Sequence, residues 1–136
     1  MKPTVLVLAD DLFWRTKIDH AARSGQAVTG FISKPSELAG AADPAKVGVV
    51  FVDLALRDEP FAAIAAFKKN PKTKGIPVIG YYEHVRKDLQ KKGTDAGCDH
   101  VISRSVFSQT LGDIVLKYAL PGSVRQEEGE EELPEE

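Results

Sequence analysis

The chain has 136 residues, 43% hydrophobic and 28% charged, the size and balance of one globular domain with its own core. No apolar run approaches the roughly 20 residues of a membrane span, the start Met1-Lys2-Pro3-Thr4 has no secretory pattern, and one cysteine excludes an internal disulfide. The formal net charge of −2 is uneven: seven glutamates fall in residues 127–136, and without them 13 acidic residues face 18 basic ones, about +5 for the body.

Val5-Leu6-Val7-Leu8 is a continuous apolar run, the pattern of a strand covered on both faces. Asp11 to Ser24 follows as a helix, with Trp14, Ile18 and Ala21 at helical spacing and Ser24-Gly25 closing it. Ala27 to Ile32 reads as a second strand. Pro35-Ser36-Glu37-Leu38 opens a short helix that Gly40 weakens and Pro44 stops. The third strand, Val47 to Val52, runs into Asp53.

Pro60 to Lys69 predicts a helix with Pro60 in its first turn and Phe61, Ile64, Ala65 and Phe67 on one side; Asn70-Pro71 breaks it. Ile76 to Tyr82 predicts the fourth strand, with Pro77 tolerated at its beginning. Val85 to Ala96 reads as a helix with Val85, Leu89 and Ala96 inward, and Asp99 to Ser103 as the fifth strand. Val106 to Leu120 is the last helix, striped by Val106, Leu111, Ile114, Val115 and Tyr118. Strands alternating with helices in this way imply right-handed βαβ units and a parallel, doubly wound sheet.

Residues 1–120 therefore read as one domain and 121–136 as an acidic tail or the start of a linker. Glu127 to Glu136 holds one large apolar residue, Leu133, and is expected to be disordered. Lysines at 68, 69, 72, 74, 91 and 92 belong at the edge opposite Asp53. They are either dipole-favoured residues at helix ends or a patch for nucleic acid or the acidic tail. His20, His84 and His100 lack ligand-like spacing, and Cys98 beside Gly97 reads as a small buried residue in a reducing cytoplasm.

Asp53 is the chief candidate for chemistry. A carboxylate ending an apolar strand loses hydration unless something pairs with it. In open parallel sheets, ligands bind at the carboxyl ends of the strands.

Three segments in order extend this to a family. Val5-Leu6-Val7-Leu8-Ala9-Asp10-Asp11-Leu12-Phe13-Trp14-Arg15, Phe51-Val52-Asp53-Leu54-Ala55-Leu56 and Ala96-Gly97-Cys98-Asp99-His100-Val101-Ile102-Ser103-Arg104 resemble the CheY-like receiver domain of bacterial two-component response regulators. The resemblance covers residues 4 to about 119. It implies an α/β, flavodoxin-like (βα)5 three-layer sandwich with a five-stranded parallel sheet in the order 2-1-3-4-5. It also implies a cytoplasmic, non-enzymatic module with Asp53 at the phospho-acceptor position and Mg²⁺ held by acidic residues after the first strand.

Residue by residue the pocket departs from that pattern. Asp10 matches the second acid, while the first falls on Ala9; sliding the register by one would make Asp10 and Asp11 the pair. The Ser/Thr position falls on Tyr82, whose ring could lie over the acceptor. The lysine position falls on Arg104, a planar fork able to hold a carboxylate bidentately. The aromatic position of the fifth strand is Val101, and the usual proline after the lysine is Ser105, so this peptide is expected to be trans. The Mg²⁺ site, Asp10 with Asp53, is thereby weakened rather than abolished, since Mg²⁺ accepts one or two carboxylates plus waters and phosphate.

The expectation is a pseudo-receiver acting through phosphorylation-independent protein contacts; the alternative is a working receiver phosphorylated on Asp53 by a histidine kinase with Mg²⁺. The expected partner is a signalling protein or histidine kinase, with the fourth helix, fifth strand and fifth helix as the interaction or homodimer face. No membrane and no nucleic-acid partner is expected of this domain. A nucleotide-binding flavodoxin-like reading lacks a Gly-rich loop after the first strand, where Ala9-Asp10-Asp11-Leu12 carries negative charge.

Overall fold

The computed structural model describes residues 2–121, so the acidic tail expected at 121–136 lies, apart from Pro121, outside the described residues. The elements alternate as the sequence predicts: β1 (Thr4–Leu8), α1 (Leu12–Ser24), β2 (Val28–Ile32), a 3₁₀ turn at Pro35–Glu37 running into α2 (Leu38–Ala41), and β3 (Val47–Asp53). Then come α3 (Phe61–Lys69), β4 (Val78–Tyr82), α4 (Lys87–Ala96), β5 (His100–Ser103) and α5 (Arg104–Tyr118). All strand pairs are parallel, and the sheet order is β2-β1-β3-β4-β5. This is the flavodoxin-like (βα)5 sandwich in the expected order.

Alternation along the buried strands divides the core in two. Val5, Val7, Val49, Phe51, Ile79, Tyr81 and Ile102 face one layer, where Trp14 and Ile18 of α1 meet Phe107, Leu111, Ile114 and Val115 of α5. Leu6, Leu8, Val50, Val52, Val78, Tyr82 and Val101 face the other, against Leu38 of α2, Ile64 and Phe67 of α3, and Leu89 of α4. Every residue of β3 is buried, as a central strand covered on both faces must be. Full burial of each large side chain contributes about 1.5–3 kcal/mol.

Two local expectations are corrected. Val85 is 65% exposed rather than inward, because Glu83–Arg86 forms a turn, with Arg86 N–H donating to the Glu83 carbonyl at 2.8 Å, and α4 begins at Lys87. The last helix begins at Arg104, two residues before Val106, because the Ser103 hydroxyl accepts the Val106 N–H and acts as its N-cap. Phe107, absent from the predicted stripe, is fully buried on the same face of this helix as Leu111, Ile114 and Val115.

No helix among the described residues is long and apolar enough to cross a membrane.

Candidate functional site

The carboxyl edge of the sheet gathers the candidate residues. Asp53 ends β3, and its register partner on β4 is Tyr81, whose partner on β5 is Ile102. Partners in parallel strands project to the same face, so Asp53 and Tyr81 stand side by side on the α1/α5 face. Arg104, two residues after Ile102, opens α5 at the same edge.

Leu54, the residue after Asp53, is anchored on the opposite face by close packing against two glycines. A Cβ on Gly80 or Gly93 would approach its side chain to 2.8 or 2.7 Å, nearer than real contacts allow. This wedge holds the end of β3, and with it Asp53, at a defined height.

Asp53 is 4% exposed. One carboxylate oxygen accepts the Ala55 N–H at 2.9 Å, and Arg104 Nη2 stands 3.9 Å from the same Oδ1. Burial raises its pKa above the ordinary 3.8; the Ala55 N–H and the Arg104 charge pull it back, while Asp10 and Asp11 push it further up. At 3.9 Å from a single nitrogen, the Arg104 contact is one of charge, not the two-pronged hydrogen bond a guanidinium can make. Helix geometry works against this cation as well. Arg104 occupies the first turn of α5, where the macrodipole is positive and favours an anion. The Asp53 carboxylate is the charge that offsets both.

Two buried donors adjoin this carboxylate without a hydrogen-bond partner among the described residues: Arg104 Nε and the Tyr81 hydroxyl. The Tyr81 phenol is raised well above its ordinary pKa by burial and then by the Asp53 charge, so it stays protonated. Its ring stacks on Phe107 at 4.7 Å and lies 5.1 Å from Trp14. The resemblance assigns the pocket position to Tyr82, whereas the structure sets Tyr81 beside Asp53. Strand alternation places the two tyrosines on opposite faces, but only the β3–β4 register decides which one accompanies Asp53.

Tyr82, at the hydroxyl position, is fully buried on the other face with Leu54, Leu89 and Val101. Val101 belongs to the same cluster. Asp10 is exposed at the rim and reaches Asp53 through its charge. Asp11 is committed to α1, its Oδ1 accepting the Phe13 N–H at 2.8 Å and the Trp14 N–H at 3.3 Å. Ala9 is fully buried, and its carbonyl accepts Arg15 Nε at 2.9 Å and Nη2 at 2.6 Å. No cis peptide occurs among the described residues, and Ser105 follows Arg104 within the helix.

Asp10 and Asp53 are a donor pair of the size Mg²⁺ accepts when water and phosphate oxygens complete its shell. No group of three His, Cys, Asp or Glu side chains suited to a metal occurs among the described residues. Cys98 lies apart from this edge; burial pushes its thiol up to about 12, which keeps it protonated.

No protein-family model matches the chain, and no curated protein matches it. Solved structures do. The chemotaxis response regulator CheY4 of Vibrio cholerae superposes with a TM-score of 0.70 at 16% identity, over 85% of this chain and 97% of that one. The receiver domain of a sensor histidine kinase from Pseudomonas aeruginosa, with a magnesium ion in its active-site cleft, gives 0.75 at 13% identity over 88% and 98%. The phosphorylated cyanobacterial phytochrome response regulator RcpA gives 0.68 at 17% over 85% and 90%. At these identities the likeness shows the fold: the chain has the architecture of a CheY-like receiver.

Proposed function

We propose that the chain is a receiver-like signalling module of the two-component type with a degenerate acceptor site, working through protein–protein contacts that do not depend on phosphorylation. It is not an enzyme in this reading. The observation that carries it is the change at the acid and hydroxyl positions: Ala9 is fully buried at the first, and Tyr82 at the second is buried on the face away from Asp53. Arg104 stands 3.9 Å from a buried Asp53, and Ala9 replaces one of the two acids a receiver uses for Mg²⁺. Asp53 then serves as a buried counter-charge at the head of α5 rather than as a nucleophile. The partner is a signalling protein or histidine kinase meeting the face of α4, β5 and α5, on which a homodimer would also form.

The test is incubation with acetyl phosphate and Mg²⁺, read by intact mass. The expected result is no stoichiometric phosphorylation. Stoichiometric, Mg²⁺-dependent labelling that vanishes in Asp53→Ala would overturn the proposal.

A second reading, a receiver phosphorylated on Asp53 by a histidine kinase, is supported by the charge of Asp10 and Asp11, both of which push the Asp53 pKa up. A divalent cation at Asp10 and Asp53 would relieve that repulsion and, when bound, would offset the charge of an incoming phosphoryl group. Trp14 is the single tryptophan, and its ring lies 5.1 Å from that of Tyr81 beside Asp53, tilted by 39°. This reading expects millimolar Mg²⁺ to change Trp14 fluorescence in the native chain and not in Asp53→Asn.

A further inference from the structure

The chain leaves the fold at a point held by close packing. Gly48 of β3 has no side chain, and the Tyr118 and Ala119 carbonyls at the end of α5 occupy the place a Cβ would need. That approach seats Leu120 and Pro121 on the amino-terminal edge of the sheet, opposite Asp53. Two grooves meet at Pro121. One is lined by Gly48, Lys72, Gly75 and Pro77, the other by Lys2, Pro3, Lys46 and Leu120.

Lys2, Lys46 and Lys72 are exposed, and none makes an ion pair with a described residue. Their neighbour Lys68 differs: its Nζ donates to Asp99 at 2.8 Å and to the Ile76 carbonyl at 2.9 Å. The acids of this edge are engaged locally. Asp99 also accepts the Val78 N–H at 2.7 Å, and Asp43 accepts the Ala45 N–H at 2.9 Å within its own turn. The three lysines precede β1, β3 and β4, which are adjacent in the sheet. Neighbouring strands lie about 4.8 Å apart, so the strand entries span only about 10 Å.

The sequence after Pro121 supplies the opposite charge: Glu127, Glu128, Glu130, Glu131, Glu132, Glu135 and Glu136. At about 3.5 Å per residue, the six steps from Pro121 to Glu127 reach about 21 Å, twice the span to be covered. We propose that the glutamate-rich segment 127–136 docks on this edge of its own chain, bridging Lys2, Lys46 and Lys72, and masks it from other polyanions. An exposed ion pair is worth only about 0–1 kcal/mol, but a short tether supplies an effective concentration on the order of millimolar, so several weak pairs suffice. The contact is electrostatic and surrenders to salt, since the Debye length falls from about 8 Å at physiological ionic strength to about 3 Å at 1 M.

The experiment compares the ¹⁵N-labelled full chain with a full-length variant in which all seven of these glutamates are changed to Gln. At low salt the backbone signals of Lys46, Lys72 and Gly75 are expected to differ between the two chains and to converge in 1 M salt. An edge open about a tenth of the time weakens the apparent affinity for a probe polyanion about tenfold, so heparin is expected to bind the Gln variant about tenfold tighter. Adding Lys46→Glu and Lys72→Glu to both chains should abolish the difference, with unchanged Trp14 emission showing that the fold is retained. Identical signals at those positions in low salt overturn the proposal. So do differences confined to the Asp53–Arg104 edge, or differences that grow with protein concentration and so report a second copy.

Discussion

Asp53 is buried, touched by a guanidinium at one nitrogen, and faced by two further carboxylates, and its pKa lies above the ordinary 3.8. The sign of its effect on stability follows. A carboxyl whose pKa is raised by folding contributes fully only below its unfolded value, and that contribution is lost as pH rises through the folded value. Ionised Asp53 therefore costs the fold at neutral pH. Asp53→Asn keeps an oxygen for the Ala55 N–H and removes the charge. Its melting temperature should equal the native one below about pH 3.8, pull ahead as pH rises through the raised pKa, and stay ahead by a constant margin above it. The expected margin at neutral pH is positive, and each kcal/mol of it would read as about 4 °C in a domain this size. Asp19, whose pKa is lowered chiefly by the Thr29 hydroxyl, adds a pH dependence of the opposite sign, but both chains share it and it cancels in the difference. Thermal melts of the two chains from pH 3 to 8 make the measurement. A lower melting temperature for Asp53→Asn at pH 7 would show that the Arg104 contact outweighs the burial cost.

At the scale of elements, the start of α1 separates two neighbouring acids by role. Asp11 has extended backbone (φ −91°, ψ 116°) and caps two N–H groups of the first turn, whereas Asp10 is exposed at the rim. Losing an N-cap costs about 1 kcal/mol, so Asp11→Ala should lower stability by that amount in urea unfolding while Asp10→Ala changes it by less than about 0.5 kcal/mol. An NMR titration of the Asp53 carboxyl should show its pKa fall in Asp10→Ala, because a like charge has been removed. Equal destabilisation by the two variants would contradict this division. The cap was legible in the sequence, since an Asp before an apolar-periodic run is a start signal. So was the order of elements, because runs such as Val47 to Val52 alternate with periodic segments such as Asp11 to Ser24. Phase was not legible. Whether Tyr81 or Tyr82 stands beside Asp53 depends on the β3–β4 register. How Arg104 meets the carboxylate depends on Ser103 capping α5 directly, which places the guanidinium in a helical turn.

Across the whole molecule, β3 ties the two cores into one cooperative unit, since Phe51 serves one layer and Val50 and Val52 the other. Opening either layer would expose one apolar face of β3. Trp14 fluorescence, which reports the α1/α5 layer, and far-UV circular dichroism, which reports all helices, should therefore trace one urea transition with one midpoint. Two positions on α5 test how that layer is built. Phe107 is fully buried and meets Tyr81 at 4.7 Å, Phe51 at 5.0 Å and Trp14 at 5.4 Å, joining β3 and β4 to α1 through one ring. Leu116, on the same helix, is 71% exposed. Phe107→Ala should cost about 3–5 kcal/mol, whereas Leu116→Ala should stay within about 0.5 kcal/mol of the native chain. Both changes leave an alanine in the same helix, so helix propensity nearly cancels and the contrast isolates packing. If the two variants unfolded at the same urea concentration, the rotation of α5 that puts Phe107 inward, and with it the placement of Arg104 over Asp53, would have to be given up.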